Sequence, residues 1–524
     1  MASTFDRLQN WSHASRLRLF GVAAAAGGFA ALGQAPFGLF PATLIGFALG
    51  FGLWQSAQDL RRAAFAGWAL GAGYFLVTLH WIVEPFLVDI ARHGWMAPFA
   101  PLLMAGGLAL FWGGGAALAY RLAKRGAGDD WRGKVRAVFG FVIWLTLAEM
   151  LRGWVFTGFP WGAPGLVWID TPLGVHARLI GVIGLSFATF LLSVSLWQVA
   201  QNRWHARIGW VAAILSLGLS GWAILRDPID PAPDAPIVRL IQPNAPQHQK
   251  WDPLYARQFF DRALALSGAD ASFKPDLVVW PETSVPSVLG RDAAVEAMVA
   301  QAGRGAPVVA GIFDREGAAT FNALAMFDPK GAPAWVYRKF HLVPFGEYMP
   351  LGELAGRFNI HGLAARDGYG FAAGAGPKVF ELPGRLGKVQ PIICYEAIFP
   401  RDIRSAPERP DWILQATNDG WFGNFAGPQQ HLVQAQFRAI EMGLPVLRAA
   451  NTGVTAVIDA RGRVVESLPL GTSGFLDARL PMALPETVFA RFGQGPVLVF
   501  LILFAFALVL PRGPKGVDHT APPQ

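Results

Sequence analysis

Long apolar runs alternate with short basic loops through the first 225 residues, and a different rhythm follows them. A helix that crosses a bilayer needs about 20 mostly apolar residues. Eight runs approach that length: 18–33, 38–55, 63–82, 96–120, 136–153, 178–200, 208–225 and 494–511. The first is short and rich in Ala and Gly. Further spans follow it directly, and no clear cleavage site precedes a soluble stretch, so it reads as an anchor and not a signal peptide. Between about 226 and 490 the apolar runs shorten to strand length and alternate with amphipathic stretches. The expected organisation is a membrane domain of seven spans over 1–225, a globular domain over 226–490, and a last span with a tail over 491–524.

Within 226–490 the pattern predicts strands at 236–241, 276–280, 307–313, 321–327, 334–338, 387–394, 411–416, 446–450, 454–459 and 463–466. Helices are predicted at 253–268, 292–303 and 427–442, with a short one between 394 and 411. Asp328–Gly331 and Ala460–Gly462 are hairpin turns. Continuously apolar strands imply sheets covered on both faces, hence an α/β domain. Residues 351–376 break the pattern. A Gly- and Ala-rich stretch of that length is either a lid or binding loop or an ordinary surface excursion.

Composition sharpens this picture. The chain is 53% hydrophobic and 15% charged, well below the roughly 25% charge of a soluble protein. The net charge of +8 is concentrated in alternate loops. Arg7, Arg16 and Arg18 precede the first span, and Arg61 and Arg62 follow the second. Arg121, Lys124, Arg125, Arg132, Lys134 and Arg136 follow the fourth, and Arg203 and Arg207 the sixth. The intervening loops, 34–37, 83–95 and 154–177, share a single basic residue, Arg92. Basic loops stay in the cytoplasm. Both termini are therefore expected inside, with 226–490 on the outer side of a multi-pass inner-membrane protein. No basic stretch interleaved with aromatics occurs in 226–490, which argues against nucleic-acid binding. No Cys/His cluster and no phosphate-binding loop is present, so neither metal nor nucleotide cofactor is expected.

Cys394 is the only cysteine. Taken alone it is more readily a packed residue than a reactive one. Its company changes that. Glu282 follows Trp280-Pro281, Lys339 follows Tyr337-Arg338, and Cys394 follows Ile392-Ile393, each at the end of a predicted strand, where open α/β sheets place their sites. A free thiol with a pKa of about 8.5 is only a few per cent thiolate at neutral pH. A cysteine nucleophile needs a base for its proton and a cation or amides for the oxyanion. Glu282 and Lys339 are of the right types. Singly, Glu282 is as easily a cap and Lys339 a solvated charge; His341 and His431 have no motif context that makes either the better base. Near the outer ends of spans, His80, Glu84, Glu149 and Arg152 read either as interfacial or structurally paired groups or as a polar patch for a lipid head group. The loop Thr157-Gly158-Phe159-Pro160-Trp161 suits an interface.

These motifs resemble the apolipoprotein N-acyltransferase family, a membrane branch of the nitrilase superfamily. The likeness rests on Trp280-Pro281-Glu282-Thr283, the block from Tyr337 to Tyr348, Ile393-Cys394-Tyr395-Glu396 and Thr417-Asn418-Asp419-Gly420-Trp421-Phe422. Asn451-Thr452-Gly453-Val454-Thr455 and the Thr157–Trp161 loop also match. The resemblance implies a four-layer αββα sandwich with a Glu282–Lys339–Cys394 triad, supported by Glu347, Tyr395 and Glu396. Trp251 matches a residue of substrate handling; Trp421, with Glu149 and Arg152, is a further substrate-binding candidate. The implied reaction moves an acyl chain from a phospholipid, usually phosphatidylethanolamine, to Cys394 as a thioester. It then passes to the N-terminal diacylglyceryl-cysteine of a lipoprotein, in a ping-pong sequence with no cofactor. Two readings compete: a membrane-tethered amidase of nitrilase type that releases its acyl group to water, and a transporter with an outer binding domain. The second would place ionisable residues at mid-span, where most spans lack them.

Overall fold

The computed structural model describes residues 15–124, 131–201, 204–226, 229, 231–350 and 370–510. A helix occupies each of the eight apolar runs: α1 (Arg16–Ala31), α2 (Phe40–Gln55), α3 (Leu60–Thr78), α4 (Phe99–Lys124), α5 (Trp131–Arg152), α6 (Ala177–Ala200), α7 (Trp204–Leu225) and, at the far end of the chain, α11 (Gly495–Val509). By length and composition, two helical stretches among the described residues can cross a membrane, Ile90–Lys124 and Gly174–Ala200. A third is possible if Leu60–Thr78 and His80–Leu87, bent by 65°, count as one span. Phe40–Gln55, Val211–Leu225 and Gly495–Val509 are apolar but shorter.

The helices pack through small residues. A Cβ on Gly27 would lie 1.9 Å from the Leu70 carbonyl oxygen, and one on Gly73 would lie 1.9 Å from that of Ala24, so α1 and α3 touch backbone to backbone. Such contacts suit helices whose association relies on close packing and not on expelling water.

The second half contains β1 (Ile237–Gln242), α8 (Ala256–Ser267), β2 (Leu277–Val279), α9 (Ala293–Ala302), β3 (Val308–Glu316), β4 (Ala319–Phe327) and β5 (Pro333–Arg338). It continues with β6 (Phe380–Glu381), β7 (Lys388–Ile393), β8 (Trp412–Thr417), α10 (Gly427–Met442), β9 (Val446–Ala450), β10 (Thr455–Ile458), β11 (Val464–Leu468) and β12 (Gly474–Arg479). Two six-stranded sheets form, β12-β1-β2-β3-β4-β5 and β11-β10-β9-β8-β7-β6. Each has a parallel centre, β1-β2-β3 or β7-β8-β9, and antiparallel flanks. Apolar side chains from both sheets, including Leu240, Val279, Leu324, Ile393, Leu414 and Leu447, form one buried core between them. Phe260 and Val299 of α8 and α9 cover the outer face of the first sheet. Ala435, Ala439 and Met442 of α10 cover that of the second. The layers are helix, sheet, sheet, helix, because apolar strands have both faces to hide.

Two strands depart from the sequence reading. No strand is predicted at β12, yet it pairs antiparallel with β1 from Ile237↔Arg479 to Gln242↔Gly474. Apart from Ala478 its residues are only partly buried, so it carries little apolar signature; the open edge of β1 recruits it. The two-residue β6 is likewise defined by its partner β7. Of the irregular stretch 351–376, residues 351–369 lie outside the described residues. The remainder runs beside β4 and the chain after β5: Phe371, Ala372 and Gly374 donate backbone N–H groups to the carbonyls of Glu347, Thr320 and Lys339, each at 2.8 Å.

Candidate active site

The site forms where the carboxyl ends of β2, β5, β7 and β8 converge. Chain reversal after β2 places Glu282. The turn Pro281–Thr283 lies directly on β3 because residue 311 is glycine: a Cβ there would sit 2.3 Å from the Thr283 nitrogen and 2.4 Å from the Pro281 oxygen. Thr283 itself has φ +46°. Both carboxylate oxygens of Glu282 are engaged, one by Asn322 Nδ2 at 2.7 Å and the other by the Asn418 backbone N–H at 2.9 Å.

Lys339 follows β5 and is fully enclosed. Its Nζ lies 2.8 Å from Glu347 Oε1 and 3.5 Å from Glu282 Oε1. Burial works against the ammonium, but the Glu347 and Glu282 carboxylates and the thiol outweigh it and raise the pKa above the ordinary lysine value. Lys339 is thus a fixed positive charge. Glu347 is oriented in turn by Asn322 Nδ2 at 3.2 Å and by the Val343 N–H at 2.9 Å.

Cys394 is the residue at which β7 ends and a 3-10 turn, Cys394–Ile398, begins. It is buried, with φ +48°, a conformation costly for a non-glycine residue and often found where a side chain must be presented against the run of the chain. Burial and the Glu282 carboxylate push the thiol pKa well up, with Lys339 pulling the other way. The resting group is therefore a thiol beside a carboxylate and an ammonium.

Glu396 is fully buried and accepts from the Ile393 N–H at 2.7 Å, the Phe340 N–H at 2.9 Å and the Tyr337 hydroxyl at 2.8 Å. It ties the turn after β7 to the chain after β5, so it sets the position of Cys394 relative to Lys339. Burial lifts its pKa to about 7, against those donors. Tyr395 points toward the helical region, its hydroxyl 3.4 Å from the Gly158 carbonyl.

The other candidates fall outside this cluster. Trp251 is 40% exposed, with its ring 5.4 Å from that of Phe313. Trp421 is partly buried in the turn Asp419–Trp421. Glu149 and Arg152 pair with each other at 2.6 Å inside the helical region, both buried. Trp112 Nε1 donates to Glu149 at 2.8 Å, and Arg152 donates to the carbonyls of Phe159 and Trp161. The pair holds the Thr157–Trp161 loop, and the structure does not bring it to Glu282, Lys339 or Cys394.

Three neighbours had no assigned part in the sequence reading. Asn418 follows β8 as Glu282 follows β2, so the strand-end rule could have found it. Asn322 lies within β4, with no sequence signal. Lys250, beside Trp251, is buried and donates to the Glu282 carbonyl at 3.0 Å and the Thr283 hydroxyl at 2.8 Å. With no carboxylate in contact, burial lowers its pKa to about 8 despite the attraction of Glu282 and Cys394. Among the described residues, no group of three or more His, Cys, Asp or Glu could hold a metal ion.

The two sheets, their covering helices and a cysteine, a lysine and a glutamate at the strand ends define a carbon-nitrogen hydrolase domain joined to a helical region. Residues 238–488 match the carbon-nitrogen hydrolase family, and residues 26–195 match the apolipoprotein N-acyltransferase N-terminal domain. The chain is 35% identical to the apolipoprotein N-acyltransferase of Rhodopseudomonas palustris, covering 94% of this chain and 95% of that one. It is 36% identical to that of Bradyrhizobium diazoefficiens over 94% and 95%, and 36% identical to that of Caulobacter vibrioides over 96% and 95%. The chain belongs to the apolipoprotein N-acyltransferase family and is an acyltransferase. Among solved structures, a CN-hydrolase superfamily protein from Xanthomonas campestris aligns at 20% identity over 51% of this chain and 97% of that one, with a TM-score of 0.35.

Proposed function

We propose that this acyltransferase carries an acyl chain on Cys394, from a membrane phospholipid to the N-terminal amine of a diacylated lipoprotein. Glu282 takes the thiol proton as sulfur attacks the ester carbonyl. The oxyanion forms beside Lys339, which supplies fixed positive charge. The intermediate collapses to a thioester, and the lysophospholipid alkoxide leaves with the proton from Glu282. In the second half-reaction the acceptor amine attacks the thioester, Glu282 receives the amine proton, and the thiol is restored. The observation that carries this reading is the convergence of Glu282, Lys339 and Cys394 from different strands into one enclosed cluster, with Lys339 shared between Glu282 and Glu347.

Several features fit a lipid donor better than a water-soluble amide. The turn at Cys394 is in contact with the helical region, through Tyr395 and Gly158. Eight helices stand where eight spans were expected, and the basic loops point to a catalytic domain on the periplasmic face of the inner membrane, with both termini in the cytoplasm. Phosphatidylethanolamine is the proposed donor. Trp251, Trp421, Glu149 and Arg152 are assigned to substrate handling, the last two by shaping the loop that meets the domain.

Intact mass spectrometry of the full chain after incubation with phospholipid tests this. The expected result is an acyl adduct that hydroxylamine removes and that Cys394→Ala lacks. An adduct on another residue would remove Cys394 from the mechanism, and loss of the acyl group to water in preference to lipoprotein amine would favour the amidase reading.

A further inference from the structure

His431 is buried without a place in the chemistry above, and yet it touches the nucleophile's backbone. It lies on α10, fully enclosed. Its Nδ1 is 2.8 Å from Asp419 Oδ1 and its Nε2 is 3.1 Å from the carbonyl oxygen of Cys394. Asp419 is fixed by Arg448 and by the Thr417 hydroxyl at 3.0 Å. The ring therefore has one edge anchored and the other directed at the residue whose φ is +48°.

One face of the ring is anchored from outside the sandwich. Trp161 stacks on it at 5.5 Å with 30° between the planes. Trp161 belongs to the loop after α5, and its own carbonyl accepts from Arg152 Nη1 at 2.9 Å. Its indole N–H donates to Gln430 Oε1 at 2.7 Å, and Gln430 Nε2 donates to the carbonyls of Ala35 and Thr78 at 3.1 and 3.0 Å. Helix ends of the first half thus grip α10 beside His431.

We propose that His431 is a positioning residue for Cys394: its ring, with Nδ1 against Asp419 and Nε2 against the Cys394 carbonyl, fixes that carbonyl so that the strained turn presents the thiol, and Trp161 holds His431 in that pose. The docking of the Thr157–Trp161 loop then sets the reactivity of a thiol it does not touch. A residue in a sparsely populated backbone conformation persists only while its surroundings impose it. Releasing the carbonyl lets the turn relax toward ordinary φ and moves the sulfur, and a displacement of about 1 Å can cost on the order of 100-fold in rate. This inference rests on the reading of Cys394 as nucleophile.

Because the chain has one cysteine, thiol chemistry reports on this residue alone. Two rates are measured on the full chain in detergent: native-state alkylation by iodoacetamide, and thioester formation from phospholipid. His431→Phe keeps a ring for Trp161 and loses both nitrogens. It is expected to slow thioester formation by about 10- to 100-fold and to change the native alkylation rate at least about fivefold, while alkylation in denaturant stays equal to wild type. His431→Gln keeps an amide N–H and is expected to recover most of the rate, which a purely packing role would not. Trp161→Leu is expected to fall between them. Should His431→Phe not fold, His431→Gln against Trp161→Leu carries the same comparison. Wild-type rates in folded His431→Phe, or in Trp161→Leu, would overturn the proposal. A wild type that alkylates at Cys394 but never forms a thioester would instead overturn the proposed function, and the alkylation rates would still decide the role of His431.

Discussion

The helical region and the sandwich both bury carboxylates against cations, and they arrange them to opposite ends. In the helical region one glutamate meets one arginine. Glu149 receives Arg152 at two nitrogens and Trp112 at a third, and the rest of the guanidinium goes to loop carbonyls. That pair closes on itself. In the sandwich one lysine serves two carboxylates and lies beside a thiol, so Glu282 is held by donors without being neutralised by a partner of its own. A one-to-one buried pair stabilises a loop; an uneven cluster keeps a carboxylate able to accept a proton. Buried pairs of the first kind contribute mainly specificity of structure, since their desolvation offsets much of their attraction.

Substitutions at the uneven cluster should have the largest effect. Cys394→Ala should abolish the acyl adduct, and Glu282→Gln, which retains the shape but not the basicity, should lower the rate of thioester formation by about 10²- to 10⁴-fold, read by rapid quench and intact mass. A normal rate in Glu282→Gln would move the base elsewhere.

The closed pair should answer in stability instead. Arg152→Leu leaves a buried carboxylate without its cation and should cost about 3–5 kcal/mol. The double variant Arg152→Leu with Glu149→Gln should cost less than the single one. Denaturation of the four members of this cycle measures the coupling, and simple additivity would mean that the two residues do not act as a unit.

Lys250 and Lys339 sharpen the comparison inside the sandwich. Both are buried, but only Lys339 has carboxylate partners. Folded Lys250 releases its proton near pH 8, against 10.5 ordinarily. Between those values the unfolded chain binds more protons, so the contribution of Lys250 to stability rises with pH across that window. On the order of 3 kcal/mol is at stake. Lys339 has its pKa raised, so its contribution is fully present below 10.5 and is lost only as pH climbs through the higher folded value. The stability difference between wild type and Lys250→Met should therefore drift in favour of wild type from pH 8 to 10.5. The difference for Lys339→Met should stay flat. Thermal melting across that range checks both.

The smallest effect is expected at the rim. Trp251 is 40% exposed and touches none of the three central side chains. Trp251→Ala should raise the phospholipid concentration needed for half-maximal rate by about 3- to 10-fold with little loss of the limiting rate, as for a residue that binds ground state and transition state alike. A collapse of the limiting rate would place the tryptophan closer to the chemistry.

Much of this was readable along the chain because its signals are local. Apolar runs located eight helices, and period and turn chemistry located most strands to within a few residues. Glu282, Lys339 and Cys394 could be singled out because each follows a strand that announces itself. Composition and loop charge supplied the expectation of a membrane protein with an outer domain. What the chain alone determined were the elements and the residues standing at their ends.

Only the tertiary structure decided how those ends meet. β12 has no apolar alternation and exists because β1 offers an unpaired edge. Asn322 lies mid-strand and enters the site because β4 passes beneath Glu282 and Glu347. Lys250 and Lys339 are the same residue type at the same depth, and their opposite pKa shifts follow from which groups the fold sets beside each. His431 reaches Cys394 through space across 37 residues. Periodicity is a property of neighbours in sequence, whereas hydrogen bonds and charge interactions depend on neighbours in space, and those exist only once both sheets and the helices around them have packed.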